Sequence, residues 1–384
     1  MDLLARAHAL APLLAARAAA AEAAGEVPAE TIAAFHQAGF WRVLRPTRFG
    51  GGGGPFALFS AISEELATGC AASAWVYTVL GEHAWVVAGF PERAQIEVWG
   101  TNPDALACSS LIPRVAARAV PGGWTLSGTF PFASGSAHAD WAILGALCDA
   151  GEGPEPRYLL VPMASVTRAD DWQVLGLRAT GSRSLVLDEI FVPDHRSVRL
   201  ADLMAGTPPG RAAHPGYALG SAPRYLLVPY SLPSVAVGLG RHALAVGTAL
   251  LAHRRARAAI PLAASEYVQV ELGRAAAEIE TARTIRATGC AAAEAALAHP
   301  PIGADVLAAH RRDMAFAVDL VRIGIERLAA LAGTEIVLDR NPLQALLRDA
   351  LTIATHGVVT PREAMGDAGR ALLAGINPVS IPTG

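Results

Sequence analysis

The chain has 384 residues, of which 52% are hydrophobic and 17% charged, enough apolar surface for a large core and too little charge for a disordered chain. A length of this order predicts two or three domains. The 31 basic residues are all arginine and the 34 acidic residues leave a formal charge of -3, which excludes the basic face that non-specific nucleic-acid binding needs.

The first segment, 1–105, reads as helical. Leu3 to Ala24 is built of helix formers, but Arg6, His8, Arg17 and Glu22 interrupt it, unlike the core of a signal peptide. A second helix starts near Pro28 and stops at Gly39. The five glycines Gly50 to Gly54 lack a trailing Gly-Lys-Ser/Thr and a strand before them, so a plain flexible turn is expected and not a phosphate loop. Helical patterns return over Phe56–Thr68 and Ala72–Ala88.

The second segment, 106–205, changes character. Val115–Val120, a Pro-Gly-Gly turn and Trp124–Ser127 predict a hairpin. Trp141–Leu144, Tyr158–Pro162 and Ser184–Val192 predict further short strands, and together a small barrel or sandwich. The third segment, 206–384, opens with an irregular Pro/Gly-rich stretch to about 230. Alanine-, leucine- and arginine-rich runs broken by Pro261, Pro300-Pro301 and Pro342 then predict four or five antiparallel helices. No stretch of about 18 uncharged apolar residues occurs, so no membrane-spanning helix is expected and the chain is placed in the cytoplasm. Cys70, Cys108, Cys148 and Cys290 lack the spacing of a zinc site or a disulfide framework. No GxGxxG follows a strand, so direct NAD(P)H binding is not indicated.

Several words carry a family likeness. They are Gly128-Thr-Phe-Pro-Phe-Ala-Ser-Gly-Ser136, Gly176-Leu-Arg-Ala-Thr-Gly-Ser182, Leu187-Asp-Glu-Ile-Phe-Val-Pro193 and Gly238-Leu-Gly-Arg-His-Ala-Leu244. In that order they resemble the acyl-CoA dehydrogenase fold, an α+β architecture with an N-terminal helical domain, a middle β-barrel and a C-terminal helical bundle. Ala74-Trp-Val-Tyr77, Gly81-Glu-His-Ala-Trp85, Cys108-Ser-Ser110 and Phe132-Ala-Ser-Gly-Ser136 resemble one branch. It comprises the oxygenase components of two-component flavin monooxygenases, of the p-hydroxyphenylacetate and secosteroid phenol hydroxylase type. His356 stands where many dehydrogenases of the superfamily carry a glutamate base.

The resemblance implies reduced FMN or FAD as cofactor, O2 as co-substrate, a small aromatic substrate and a separate NAD(P)H:flavin reductase. It also implies reaction through a C4a-hydroperoxyflavin, and a homotetramer. An acyl-CoA dehydrogenase or oxidase, with Glu266 or Glu363 as base, and an N-hydroxylase of the same branch remain as alternatives. Such a hydroperoxide survives only where water is excluded and flavin N5 is held. Ser134 matches the flavin-contacting Thr/Ser, with Ser136 as the near-equal alternative and a backbone-paired strand serine as the plain reading. Phe132 matches the flavin-flanking aromatic and is otherwise core. Activating a phenol asks for a base, and histidine titrates near neutrality; His356 is the first candidate and His83 the second. Ser109 and Ser110 are candidates for bonding the substrate oxygen or the flavin, or are inert loop serines. Trp75 and Trp85 wall the pocket or belong to the core. His138 is structural or at the flavin edge. Arg255 matches an arginine that reaches a neighbouring subunit's flavin, or is a solvated helix residue.

Overall fold

The structure is a computed structural model that describes residues 2–149, 151, 153–254 and 261–374. It divides into two compact units, Met1–Arg224 and Tyr225–Gly384. The first unit takes in the predicted helical and strand segments together with the Pro/Gly-rich stretch up to 224.

The helices of the first unit are α1 (Leu3–Ala24), α2 (Ala29–Ala38), α3 (Phe56–Ala67), α4 (Ala71–Ala88) and α5 (Glu92–Trp99). Asp2 caps α1 by accepting the Leu4 N–H at 2.9 Å. Helix α1 packs on α3, and α3 on α4. Phe35, Phe40, Trp41, Phe59 and Tyr77 interlock with ring centroids 5.2 to 5.9 Å apart, a dry aromatic cluster beneath α4.

The glycine run is a tight loop, which corrects the flexible turn expected from its composition. Gly52, Gly53 and Gly54 donate their N–H groups to the carbonyls of Arg42, Arg45 and Val43 at 2.7, 2.9 and 2.8 Å. A Cβ at Gly51 would lie 1.9 Å from the Arg45 carbonyl oxygen, so only glycine allows the approach. With those donors spent on the chain itself, little is left to cradle a phosphate.

The middle segment is one seven-stranded sheet. Its strands are β1 (Ala107–Val120), β2 (Gly123–Ala133), β3 (Trp141–Asp149), β4 (Pro154–Pro162), β5 (Thr167–Arg168), β6 (Arg183–Pro193) and β7 (Ser197–Arg199). Their order is β5-β6-β2-β1-β3-β4-β7. Strands β1 and β2 form the predicted hairpin, with Val120 opposite Gly123. Strands β1 and β3 run parallel, with a register break between Ser110 and Val115. The second half of α4 packs on the sheet through Ala84 and Val87, against Ala107, Ile143 and Leu160.

After α6 (Leu200–Ala205), the irregular stretch 206–224 is a strap pinned to the helices. Tyr217 donates its hydroxyl to the Leu44 carbonyl at 2.5 Å, and Trp85 its Nε1–H to the Leu219 carbonyl at 2.7 Å. The buried Gln95 donates Nε2–H to the carbonyls of Ala88 and Phe90, so its Oε1 accepts from His214 Nε2 at 2.5 Å.

A single turn, α7 (Arg224–Leu227), leads into the helices of the second unit. These are α8 (Ser231–His253), α9 (Glu266–Ala296), α10 (Ala304–Ala332), α11 (Pro342–Ala354) and α12 (Pro361–Ala374). Helix α10 packs against all four of the others. Residues 224–253 are long and apolar enough to cross a membrane by length and composition, although half of that apolar window is buried inside the protein. Arg241 divides the segment, so it holds no uncharged apolar run of the length expected of a membrane-spanning helix. Packing of α8 on α9, α10 and α11 accounts for its apolarity.

None of the four cysteines forms a disulfide among the described residues, and all four are buried. Burial pushes the Cys108 thiol up to about 12 and the Cys148 thiol up to about 11.

Candidate functional site

Helix α4 is the spine of the site. Seventeen of its eighteen residues are buried, so its polar side chains must find partners inside the protein. His83 is 3% exposed. Its Nδ1 lies 2.6 Å from the Ala107 carbonyl, which can only accept, so Nδ1 carries the proton. Nε2 is then bare, and the Ser109 hydroxyl, 2.9 Å away, donates to it. Burial pushes the His83 pKa down to about 4; the bond to Ala107 opposes the shift and the positive charge of Arg224 adds to it. The histidine is therefore neutral at physiological pH. It does not titrate near neutrality, as its side-chain type had suggested.

Two turns earlier on α4, Trp75 donates Nε1–H to Ser134 Oγ at 3.1 Å. Ser134 Oγ lies 2.7 Å from Ser182 Oγ, and Ser182 Oγ 2.7 Å from Thr180 Oγ1. The Thr180 hydroxyl ends the series on the Leu177 carbonyl at 2.8 Å. Ser110 donates to the Pro131 carbonyl at 2.7 Å. Ser136 Oγ is buried and has no hydrogen-bond partner. His138 is tied to the Val27 carbonyl at 2.8 Å, which gives it a structural role.

Phe132 departs from the core reading. It is 68% exposed, and its φ of 64° lies in the left-handed region that a bulky residue avoids. Its ring stands edge-on to Trp172, with centroids 6.3 Å apart. An aromatic pair of exposed Phe132 and half-buried Trp172 beside a buried hydroxyl series suits a flat, polar-edged ring such as a flavin. The unpartnered Ser136 hydroxyl adds one more bonding group.

Two cavities flank α4. One is lined by Trp85, Val86, Leu203, Pro208, Ala222 and Arg224, so Trp85 is a wall residue. Arg224 stacks on the Tyr158 ring at 5.6 Å. The other has His83 in its lining with Trp41, Arg45 and Trp99.

The structure thus brings together Trp75 with Ser134, and His83 with Ser109, from one helix. His356 lies in the second unit, just past α11. The Val358 N–H donates to its Nδ1 at 3.3 Å, leaving the proton on Nε2. The protein packed around it depresses its pKa, to about 4, while the exposure of its surface works against so large a shift. Arg255 lies outside the described residues. Glu363 is paired with Arg311 at 2.9 Å, and Glu266 sits exposed at the start of α9. Among the described residues no group of three His, Cys, Asp or Glu side chains could hold a metal ion. Sequence reasoning assigned no role to Thr180, Ser182, Trp172 or Arg224. Thr180 and Ser182 fall within the quoted word Gly176–Ser182, but the contact of Ser182 with Ser134 joins positions 48 residues apart in the sequence.

Residues 5–100 match the model of the acyl-CoA dehydrogenase N-terminal domain, and residues 230–361 that of the C-terminal domain. The FADH2-dependent resorcinol hydroxylase oxygenase component of a Rhizobium species is 34% identical over 92% of this chain and 90% of its own. The flavin-dependent monooxygenase oxygenase subunit HsaA of Rhodococcus jostii is 30% identical over 94% and 95%. The crystal structure of 3-HSA hydroxylase from Rhodococcus sp. RHA1 superposes with a TM-score of 0.91 over 99% of both chains at 27% identity. XiaF from a Streptomyces species, solved with FADH2 and glycerol, has a TM-score of 0.88 at 27% identity, over 99% of this chain and 96% of its own.

Proposed function

We propose, from the premise that the chain belongs to the acyl-CoA dehydrogenase family and to its reduced-flavin-dependent monooxygenase branch, that it hydroxylates a phenolic ring with O2. The observation that carries the reading is the Ser109–His83 pair, a buried hydroxyl backed by a bare imidazole nitrogen.

Reduced FAD or FMN, when bound, would supply two electrons and the electrophilic oxygen; one atom of O2 enters the ring and the other leaves as water. The protein's part is to place the phenol and manage its proton. Ser109 accepts a hydrogen bond from the phenol while donating its own to His83 Nε2. A base of pKa about 4 cannot strip a resting phenol of pKa about 10; six units oppose that by roughly 8 kcal/mol. It suffices once the ring begins to take on oxygen, because the hydroxyl then becomes strongly acidic. His83 therefore takes the proton in step with C–O bond formation, through Ser109. Ser134 and Ser136 would bond the polar edge of the flavin, and Phe132 with Trp172 its flat face. His356, in the second unit, accepts from the Val358 N–H at Nδ1 and keeps its proton on Nε2, which makes it a donor there and not the base its position suggested. Ser110 is spent on the Pro131 carbonyl.

The relatives are oxygenase components, so reduced flavin comes from a separate NAD(P)H:flavin reductase. Exposed Tyr267, Val270 and Phe316 in the second unit support self-association, and the chain is on this reading a cytoplasmic homotetramer.

The test is anaerobic titration with reduced FAD and reduced FMN, then a pulse of 18O2 with a panel of phenols. A product carrying one 18O atom is expected. Absence of reduced-flavin binding, or bound oxidised flavin that acyl thioesters bleach, refutes the reading.

A further inference from the structure

The hydroxyl series below Ser134 has ends of fixed polarity. At one end Trp75 Nε1–H can only donate. At the other the Leu177 carbonyl can only accept. Three hydroxyls lie between them, giving four links and four protons. One order alone satisfies every link. Trp75 donates to Ser134, Ser134 to Ser182, Ser182 to Thr180, and Thr180 to Leu177. The proton of Ser134 is therefore committed inward. The group has one lone pair left and no donor to offer.

Resting on the reading that Ser134 meets flavin N5, we propose that this chain of hydroxyls selects the flavin's redox state. Reduced flavin carries a hydrogen on N5, which the free lone pair of Ser134 accepts. Oxidised flavin presents a bare N5, itself an acceptor, and meets a lone pair with a lone pair. Thr180 and Ser182 act as positioning residues, through Ser134 and without touching the ligand. An oxygenase component that must take reduced flavin and release the oxidised form gains turnover from that asymmetry.

The experiment compares dissociation constants of reduced and oxidised FAD, the first measured anaerobically, in wild type, Ser182→Ala and Thr180→Val. In either variant the inward acceptor is lost or disordered, so Ser134 regains a proton to donate to bare N5. The preference for reduced flavin is expected to fall by about tenfold, the worth of one neutral hydrogen bond. The change should come through tighter oxidised-flavin binding. The midpoint potential of the bound flavin should fall by about 30 mV for each tenfold loss. Ser182→Thr, which keeps the hydroxyl, should restore both. Circular dichroism shows which variants fold, and either one alone suffices. An unchanged ratio in a folded variant that still binds flavin overturns the proposal. If wild type binds neither form, the monooxygenase reading itself fails.

Discussion

Acid should loosen the first unit through His83. The unfolded chain titrates this residue near 6.5, whereas burial holds the folded value at about 4. Between those values the unfolded state binds the extra proton, so stability rises with pH across that window and is lost as pH falls through it. The full gap of about 2.5 units is worth roughly 3 kcal/mol, of which about 2 kcal/mol is already lost at a pH of about 5. The side chain is wholly buried, so little solvent screening reduces this figure. Urea unfolding of wild type and of His83→Gln at several pH values isolates the effect, because the other histidines are common to both proteins. The variant should be less stable near neutrality, and the difference should shrink by about 2 kcal/mol at a pH of about 5. NMR titration of the His83 ring gives the same quantity directly. Arg224→Met should raise that pKa, since the guanidinium charge helps to depress it. A ring that titrates near 6.5, or a stability difference independent of pH, would refute the argument and with it the assignment of a neutral proton acceptor behind Ser109.

Gly51→Ala should destabilise by about 2 kcal/mol or more, since its methyl group would meet a backbone oxygen that cannot move aside; an unchanged melting temperature would show that the loop is as loose as its composition suggests. Phe132→Gly should leave stability within about 1 kcal/mol, because the ring is exposed and its positive φ is relieved. The same change should weaken flavin binding by about tenfold or more. Retained affinity would place the flat face of the cofactor elsewhere.

The order of helices, strands and helices was legible from periodicity, and the hairpin at Val120 and Gly123 from its turn residues. Helix α5 was missed because eight residues give too few periods to read. Of the side chains singled out in the sequence, His83 meets Ser109 and Trp75 meets Ser134 in the fold. What sequence does not carry is direction. Which nitrogen of His83 holds its proton depends on a carbonyl 24 residues away, and which way Ser134 points its hydrogen depends on Leu177, 43 residues along. Nor does a residue type reveal burial. Histidine suggested titration near neutrality, and the packing around α4 moved it far from there. The glycine run misled for the same reason, since flexibility is a property of glycine in isolation and the partners of Gly51 to Gly54 lie upstream at Arg42 to Pro46.

The buried thiols bear on the enzyme's lifetime. Whenever reduced flavin meets O2 without substrate, the oxygen leaves as hydrogen peroxide, and peroxide attacks thiolates far faster than thiols. With Cys108 held at about 12 and Cys148 at about 11, scarcely any thiolate exists at neutral pH, and both thiols are buried. A catalyst that makes a corrosive by-product beside its own core thus keeps the thiols of that sheet in the form least open to self-inactivation.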